Sequence, residues 1–182
     1  MRLYKIFQEI MREVDKVWKE IRKEEIKKLI EKIISSPRIF IAGEGRTGLV
    51  GKMFGIRLLH LGKEVFFVGD PLTPSFEEED LLLIFSGRGE KERFLPLINR
   101  AKRLGGEVIL VTGNPSTPLL QFCSSYILLP QSVKSLNPSV SSQPLNSLFE
   151  QSLFFLLESM IFLLYQNLHI SEEEMLRRHA NL

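Results

Sequence analysis

Short apolar runs alternate with segments of helical periodicity through most of the chain. Five runs have the composition of buried strands, and they span 38–42, 64–68, 80–85, 107–111 and 126–129. Most of the segments between them repeat apolar positions every three or four residues, as helices do. Strands that alternate with helices predict a parallel sheet covered on both faces. We therefore predict an α/β fold, a three-layer sandwich in which helices flank a five-stranded parallel sheet.

The first 35 residues precede this alternating region and are predicted to be helical. Their apolar residues follow steps of four and three, at Leu3, Phe7, Ile10, Val14, Val17 and Ile21. That spacing is typical of a heptad-like seam on one helix. Two interpretations stay open, since the seam could pack on its own domain or pair with another subunit. A second helical segment ends before Pro37, because proline restricts the residue that precedes it.

The last third of the chain changes character twice. Residues 131–147 are rich in serine and show no periodicity, which predicts a loop that could be mobile. The apolar segment that follows contains Glu150 and Glu158, which are costly in lipid, so we interpret it as a helix buried in protein. Ser171 and Glu174 predict a capping box for a last short helix. We expect a single domain with four parts: a helical segment (1–35), an α/β core (38–130), the loop (131–147) and C-terminal helices (148–182).

Charge and cysteine content exclude several classes of partner. The 24 Lys and Arg residues nearly balance the 22 Asp and Glu residues, which gives no argument for nucleic acid or an anionic membrane as a partner. The single cysteine, Cys123, excludes an intramolecular disulfide and a cysteine-rich metal site, and it favours a reducing cytoplasm. The three histidines have no metal-ligand spacing, so we expect no metal. Cys123, Met53 and Met160 are predicted to be buried apolar residues.

A glycine turn follows the third strand, with the sequence Ser86-Gly87-Arg88-Gly89-Glu90-Lys91. A helix start offers unpaired backbone N–H groups and a partial positive charge, which suit an anion. Ser86 adds a hydroxyl group, and Arg88 and Lys91 add positive charge. The turn therefore indicates a phosphate site, although an ordinary strand-to-helix connection has the same general form.

A second glycine turn follows the first strand. Gly43, Gly45 and Gly48 form a G-x-G-x-x-G pattern, and Asp70 lies 22 residues beyond Gly48. This is the context of a dinucleotide-binding fingerprint. Against that interpretation, only three strands follow the second strand and no segment remains for a substrate domain. Arg46 and Thr47 are instead well placed to hold a sugar phosphate at the carboxyl ends of the strands.

Glu150 and the histidines are the candidates for proton transfer. Glu150 falls in the first turn of an apolar helix, a setting that suits a general base, although a glutamate there also stabilises the helix dipole. Glu158 is interpreted as structural. His60 ends a helix, where a cation is favourable. His179 would contribute only if the C-terminal segment docks, for instance into a neighbouring subunit's cleft.

Together these motifs resemble the sugar isomerase (SIS) domain family, and within it the 6-phospho-3-hexuloisomerases. The similarity is carried in order by the stretches 43–62, 69–75, 86–90, 112–119, 145–150 and 177–182. The resemblance implies a flavodoxin-like parallel sheet and usually a homotetramer. It implies interconversion of 3-hexulose 6-phosphate and fructose 6-phosphate through an enediolate, in the ribulose monophosphate route, with no cofactor.

The resemblance also implies roles for individual residues. Glu150 corresponds to the catalytic base and His179 to a histidine that reaches a neighbour's site, with His60 in reserve. The substrate-binding positions are Gly45, Arg46, Thr47, Ser86, Gly87, Arg88, Gly89, Glu90 and Lys91. Arg88 and Lys91 depart from the family, which has Ser and Thr there.

These two cations either strengthen phosphate binding or fill the pocket and change or remove the substrate. Two alternatives therefore stay open beside the hexulose enzyme. One is a phosphosugar-binding regulatory module without catalysis. The other is a different sugar-phosphate aldose–ketose isomerase.

Overall fold

A parallel sheet organises the computed structural model, which describes residues 2–130 and 132–181. In these residues the sheet has five strands in the order β2-β1-β3-β4-β5, and all neighbouring pairs are parallel. The strands are β1 (Arg38–Gly43), β2 (Glu64–Phe67), β3 (Leu81–Phe85), β4 (Glu107–Thr112) and β5 (Ser125–Leu128). The predicted strands are confirmed, and each boundary shifts by no more than one residue.

Helices cover both faces of the sheet. They are α1 (Arg2–Glu20), α2 (Lys23–Ser35), α3 (Gly45–His60), α4 (Lys91–Arg103), α5 (Ser147–Leu168) and α6 (Glu172–Arg177). Alternate strand residues enter two separate cores, so Ile39 and Ile41 face α2, α3 and α5 while Phe40 and Ala42 face α4. The period-two alternation of side chains across a strand produces this division. The predicted three-layer α/β sandwich is confirmed.

The seam on α1 behaves differently in its two halves. Val14 and Val17 are buried against the core that contains α5, so the C-terminal half packs on its own domain. Leu3 and Phe7 remain 72% and 54% exposed. The C-terminal half of the seam therefore packs on its own domain. The N-terminal half stays exposed, so pairing with another subunit remains a prediction for that half.

The serine-rich segment has more structure than the sequence predicts. Ser132, Val133, Ser141 and Gln143 are buried, and a short 3-10 turn spans Pro138–Val140. The segment packs against α1 and α5 through hydrogen bonds. Apart from Gln131, which lies outside the described residues, the segment is a loop as predicted, and it is packed against the domain.

The apolar helix α5 is a core helix of the domain. By length and composition it could cross a membrane, but half of its most apolar window is buried inside the protein. Its residue Met160 is 1% exposed, as predicted. This burial supports the interpretation of α5 as a helix packed within protein.

Two other predicted core residues are less buried than expected. Met53 is 47% exposed, because α3 turns its glycines, including Gly51 and Gly55, toward the sheet and Met53 away from it. Cys123 is only partly buried, beside the core under α4. That burial still raises the pKa of the Cys123 thiol to about 11, so it stays protonated at neutral pH.

Candidate active site

The strand order creates a crevice at one edge of the sheet. After β1 the chain crosses to β2 on one side, and β3 lies on the other side of β1. Such a reversal is the switch point at which parallel sheets bind ligands, outside the carboxyl ends of the strands. Both glycine turns identified in the sequence lie here, one after β1 and one after β3.

The first turn brings the start of α3 close to the end of β1. Gly45 has a φ of +53°, a left-handed conformation that favours glycine. A Cβ atom on Gly48 would lie 2.5 Å from the carbonyl oxygen of Gly43, so only glycine permits this approach. The first N–H groups of α3, with the side chains of Arg46 and Thr47, consequently border the crevice.

The second turn is held in shape by hydrogen bonds from three sides. The backbone N–H of Gly89 donates to Ser86 Oγ at 3.1 Å, and Thr117 Oγ1 donates to the carbonyl of Gly89 at 2.6 Å. Asn114 Nδ2 donates to the carbonyl of Arg88 at 2.8 Å. The turn is therefore preorganised, and it directs the N-terminus of α4 toward the crevice.

The N-terminal end of α5 closes the crevice and supplies the carboxylate. Asn146, Phe149 and Glu150 line a cavity of about 320 Å³ together with both glycine turns. The Glu150 side chain is 14% exposed and accepts a hydrogen bond from Nε of Arg46. A shielded carboxylate thus faces two helix N-termini, which is an arrangement able to bind an anion and move a proton nearby.

Ion pairs surround the mouth of this cavity. Arg88 pairs with Glu90, and Arg93 pairs with Glu44. Arg93 Nε also lies 3.4 Å from a carboxylate oxygen of Glu90. These side chains are between 33% and 55% exposed, so water reaches the pairs and screens them. A bound anion can therefore compete for the arginines.

The structure gathers most of the substrate-binding positions predicted from the sequence, but two of them do not line the cavity. Gly89 is buried under Thr117 and shapes the turn from below. Lys91 borders a different surface groove, which it shares with Leu95 and Asn99. The predicted contribution of the Lys91 side chain to phosphate binding therefore has no geometric support in this cavity.

The two histidines lie together in a second cavity, away from Glu150. The rings of His60 and His179 stack with centroids 5.0 Å apart, and Arg178 donates a hydrogen bond to the carbonyl of His60 at 3.2 Å. Burial lowers the pKa of His60, and the neighbouring His179 and Arg57 lower it further. This cavity, of about 640 Å³, also contains Arg57 and Glu158.

The helices α3 and α5 carry one cavity at each end. Arg46 meets Glu150 at their N-terminal ends, and Arg57 lies 3.7 Å from Glu158 further along. The rise from Arg46 to Arg57 is about 16 Å at the spacing of an α-helix. His179 and Glu150 of one chain are therefore in separate cavities. In the described ranges 2–130 and 132–181, no group of three or more metal-ligating side chains is found.

Comparison with known proteins identifies the family. The model of the SIS domain matches residues 32–155. The chain belongs to the SIS domain family. A 3-hexulose-6-phosphate isomerase from Bacillus subtilis is 38% identical over 176 residues, which cover 96% of this chain and 95% of that protein. The same named enzyme from Mycobacterium gastri is 36% identical and covers 87% of this chain and 80% of its own length.

Solved structures agree with the SIS fold. A crystal structure from Methanococcus jannaschii, described as inferring a molecular function of 3-hexulose-6-phosphate isomerase, has a TM-score of 0.81. It is 30% identical in sequence and covers 100% of this chain and 99% of its own. The similarity therefore extends beyond the SIS match to both terminal segments.

The sequence reasoning did not name several residues that lie in or beside the cavity of this SIS domain. Asn146 directly precedes α5, and Glu44 lies inside the first glycine turn, so both had a positional signal. Phe149 and Phe94 line the cavity but are indistinguishable in sequence from other core phenylalanines. Arg93 had no signal, because its place at the rim depends on the direction in which α4 leaves the turn.

Proposed function

We propose that this SIS protein is an isomerase that interconverts 3-hexulose 6-phosphate and fructose 6-phosphate. The observation that carries the proposal is the position of Glu150, a shielded carboxylate facing two glycine turns at the switch point of the sheet. The relatives named for this reaction cover most of the chain, which supports the same chemistry here.

Glu150 is the proposed base. Its carboxylate removes the proton from carbon 2 of 3-hexulose 6-phosphate, and the electron pair of that bond forms the enediolate between carbons 2 and 3. Return of the proton to carbon 3 leaves the carbonyl at carbon 2, which gives fructose 6-phosphate. A second proton must move from oxygen 2 to oxygen 3, so the reaction also needs a group that donates and accepts at these oxygens.

The substrate phosphate is assigned to the turn between β3 and α4. The N-terminal amides of α4 and the hydroxyl of Ser86 offer hydrogen bonds there, and Arg88 offers a charged one. Gly45, Arg46 and Thr47 at the start of α3 would hold the sugar. Substrate binding then requires Arg46 to weaken or break its ion pair with Glu150, and this frees the carboxylate for proton transfer.

We further propose that His179 of one subunit completes the site of another, in a homotetramer that works in the cytoplasm within the ribulose monophosphate route. The separation of the two cavities supports this, since His179 cannot serve Glu150 of its own chain in the observed arrangement. Exposed apolar residues of α3 and α5 offer a surface for a second copy, and they are Leu49, Met53, Ile56, Phe155 and Phe162.

Turnover of 3-hexulose 6-phosphate, coupled to detection of fructose 6-phosphate, tests the function. The wild-type protein is expected to turn over the substrate, and Glu150→Gln is expected to lose at least a hundredfold in kcat, the lower range for general base catalysis. Glu31→Gln, an exposed change on α2, is the control and should leave kcat unchanged. Binding of fructose 6-phosphate without turnover by the wild type would instead identify a regulatory binding module.

Mixing two inactive variants tests the shared site. Glu150→Gln and His179→Gln subunits, dissociated and reassembled together, should regain activity because mixed assemblies contain some sites with both native residues. A mixture as inactive as its components, with subunit exchange verified by mass, would contradict a site built from two chains.

A further inference from the structure

A glutamate of the N-terminal helix binds the segment that leads into the active site. Oε2 of Glu13 accepts hydrogen bonds from Ser141 Oγ at 2.6 Å and from Gln143 Nε2 at 2.9 Å. Oε1 of Glu13 accepts from the backbone N–H of Ser142 at 2.8 Å and from its hydroxyl at 3.1 Å. Four donors from three consecutive residues thus converge on one carboxylate.

The network continues from this carboxylate to the first turns of α5. Gln143 Nε2 donates to Gln151 Oε1 at 3.0 Å, and Gln151 Nε2 donates back to Gln143 Oε1 at 2.8 Å. Gln143 is 7% exposed, so water competes little for these bonds. Gln151 directly follows Glu150, and the orientation of its backbone therefore also sets that of the candidate base.

The short connection between Gln143 and α5 is held on both sides. Asn146, which lines the cavity, accepts a hydrogen bond from the backbone N–H of Ser135 at 3.0 Å. Ser147 Oγ donates to the carbonyl of Pro144 at 2.9 Å. Leu145, between Pro144 and Asn146, has a φ of +55° although it is not glycine, and it is 84% exposed.

The Leu145 conformation needs support from its surroundings. A non-glycine residue in the left-handed region costs on the order of 1 kcal/mol or more and persists only where neighbouring contacts hold it. Leu145 is too exposed for its own side chain to supply those contacts. Hydrogen bonds on either side of it supply such contacts: Gln143 donates to Glu13 on one side, and Ser135 donates to Asn146 on the other.

We propose that Glu13 is a positioning residue for Glu150, acting through Gln143 and Gln151. Glu13 does not touch the cavity, and its effect passes to the base by fixing the connection and the first turn of α5. The role rests on the proposed function of Glu150 as the base. It gives α1 a part in catalysis that its apolar seam alone does not indicate.

Kinetics of Glu13→Gln test the inference. The amide keeps the size of the side chain but replaces one acceptor oxygen with a donor, so either the two bonds from Ser142 or the bonds from Ser141 and Gln143 are lost. We expect kcat to fall about tenfold while KM for fructose 6-phosphate changes less than twofold, because small displacements of a reacting group mainly affect the chemical step. Glu9→Gln, an exposed change one turn earlier on α1, is the matched control and should retain wild-type kcat.

A second variant separates positioning from simple stabilisation. Gln151→Met leaves the Glu13 bonds to Ser141 and Ser142 in place but cuts the link to α5. It should lower kcat similarly. The double variant should have a kcat no lower than that of either single variant, because Glu13 and Gln151 act through one network. Hydrogen exchange at the amides of residues 147–151 should accelerate in both variants.

The outcomes separate this inference from the proposed function. No turnover by the wild type would reject the function of Glu150 and, with it, the role of Glu13. Turnover by the wild type together with an unchanged kcat in Glu13→Gln, even at a lower Tm, would leave the function intact and reduce Glu13 to a purely structural residue.

Discussion

Arginine–carboxylate pairs occur where the parallel strands begin, here called the amino edge of the sheet, and where they end, called the carboxyl edge. The two environments differ. At the amino edge, Arg38 at the start of β1 makes two hydrogen bonds to Asp80, at 2.9 and 2.6 Å. The Asp80 side chain is 1% exposed and also accepts from the backbone N–H of Glu77 at 2.7 Å. This pair joins the starts of β1 and β3, and both carboxylate oxygens of Asp80 accept hydrogen bonds.

The carboxyl edge has the same chemical groups in an open arrangement. Arg46 is 68% exposed where it meets Glu150, and Arg88 is 54% exposed where it meets Glu90. Each of these arginines keeps donors that face solvent, where an anion can reach them. Burial and the number of hydrogen bonds, rather than residue type, thus distinguish a pair that holds strands together from a pair that an anion in solvent can reach.

The largest expected effect is on stability, at the amino edge. Asp80→Asn removes the charge that balances a largely buried Arg38, so the free energy of unfolding should fall by about 3 kcal/mol. Urea denaturation measures this, and KM of the folded protein should stay unchanged. A loss below about 1 kcal/mol would mean that the pair is no more stabilising than an exposed one.

A smaller effect on binding is expected at the carboxyl edge. Arg88→Ser removes the charged hydrogen bond that we propose to the substrate phosphate, so KM for fructose 6-phosphate should rise about tenfold with little change in kcat. The free energy of unfolding should change by less than about 1 kcal/mol, because the ion pair between Arg88 and Glu90 is exposed to water. Lys91→Thr is the comparison, and a larger KM effect there than for Arg88→Ser would contradict the assignment of the cavity.

The smallest effect concerns a carboxylate held mainly by uncharged donors. Burial of Glu13 acts to raise its pKa, but the hydrogen bonds from Ser141, Gln143 and Ser142 together lower the pKa below the ordinary value of 4.5. A lowered pKa means that the stabilisation is fully present above pH 4.5 and is lost as the pH falls through the folded-state pKa. The Tm difference between wild type and Glu13→Gln should therefore shrink below pH 4.5, and a constant difference down to pH 3 would refute this.

The fold was more accessible to sequence reasoning than the site. The runs that became β1 to β5 are apolar and short, and the glycine turns mark where α3 and α4 begin, so local pattern was sufficient. The packing of the serine-rich loop was not predicted because it depends on Glu13, more than a hundred residues earlier in the chain. Met53 was misjudged because apolar character alone does not reveal which face of α3 meets the sheet.

The candidate site was predictable where a motif lies on one element. Gly45, Arg46, Thr47 and Ser86 lie in turns that the sequence marks, and Glu150 was a candidate from its place in the first turn of an apolar helix, to which the family resemblance added the role of base. Lys91 was expected beside the phosphate, but it leaves the turn on the far side. The direction in which α4 leaves the turn decides this, and no local sequence pattern indicates that direction.

The sequence by itself determined the parallel α/β architecture, the two glycine turns at the carboxyl ends of the strands and the place of a glutamate in the first turn of α5. Those features depend on residues close together in the chain, whose conformational preferences are local. Only the tertiary structure decided that Arg46 pairs with Glu150, that His179 lies with His60 instead, and that Glu13 holds the approach to α5. These contacts join distant parts of the chain, and the packing of whole helices on the sheet sets them.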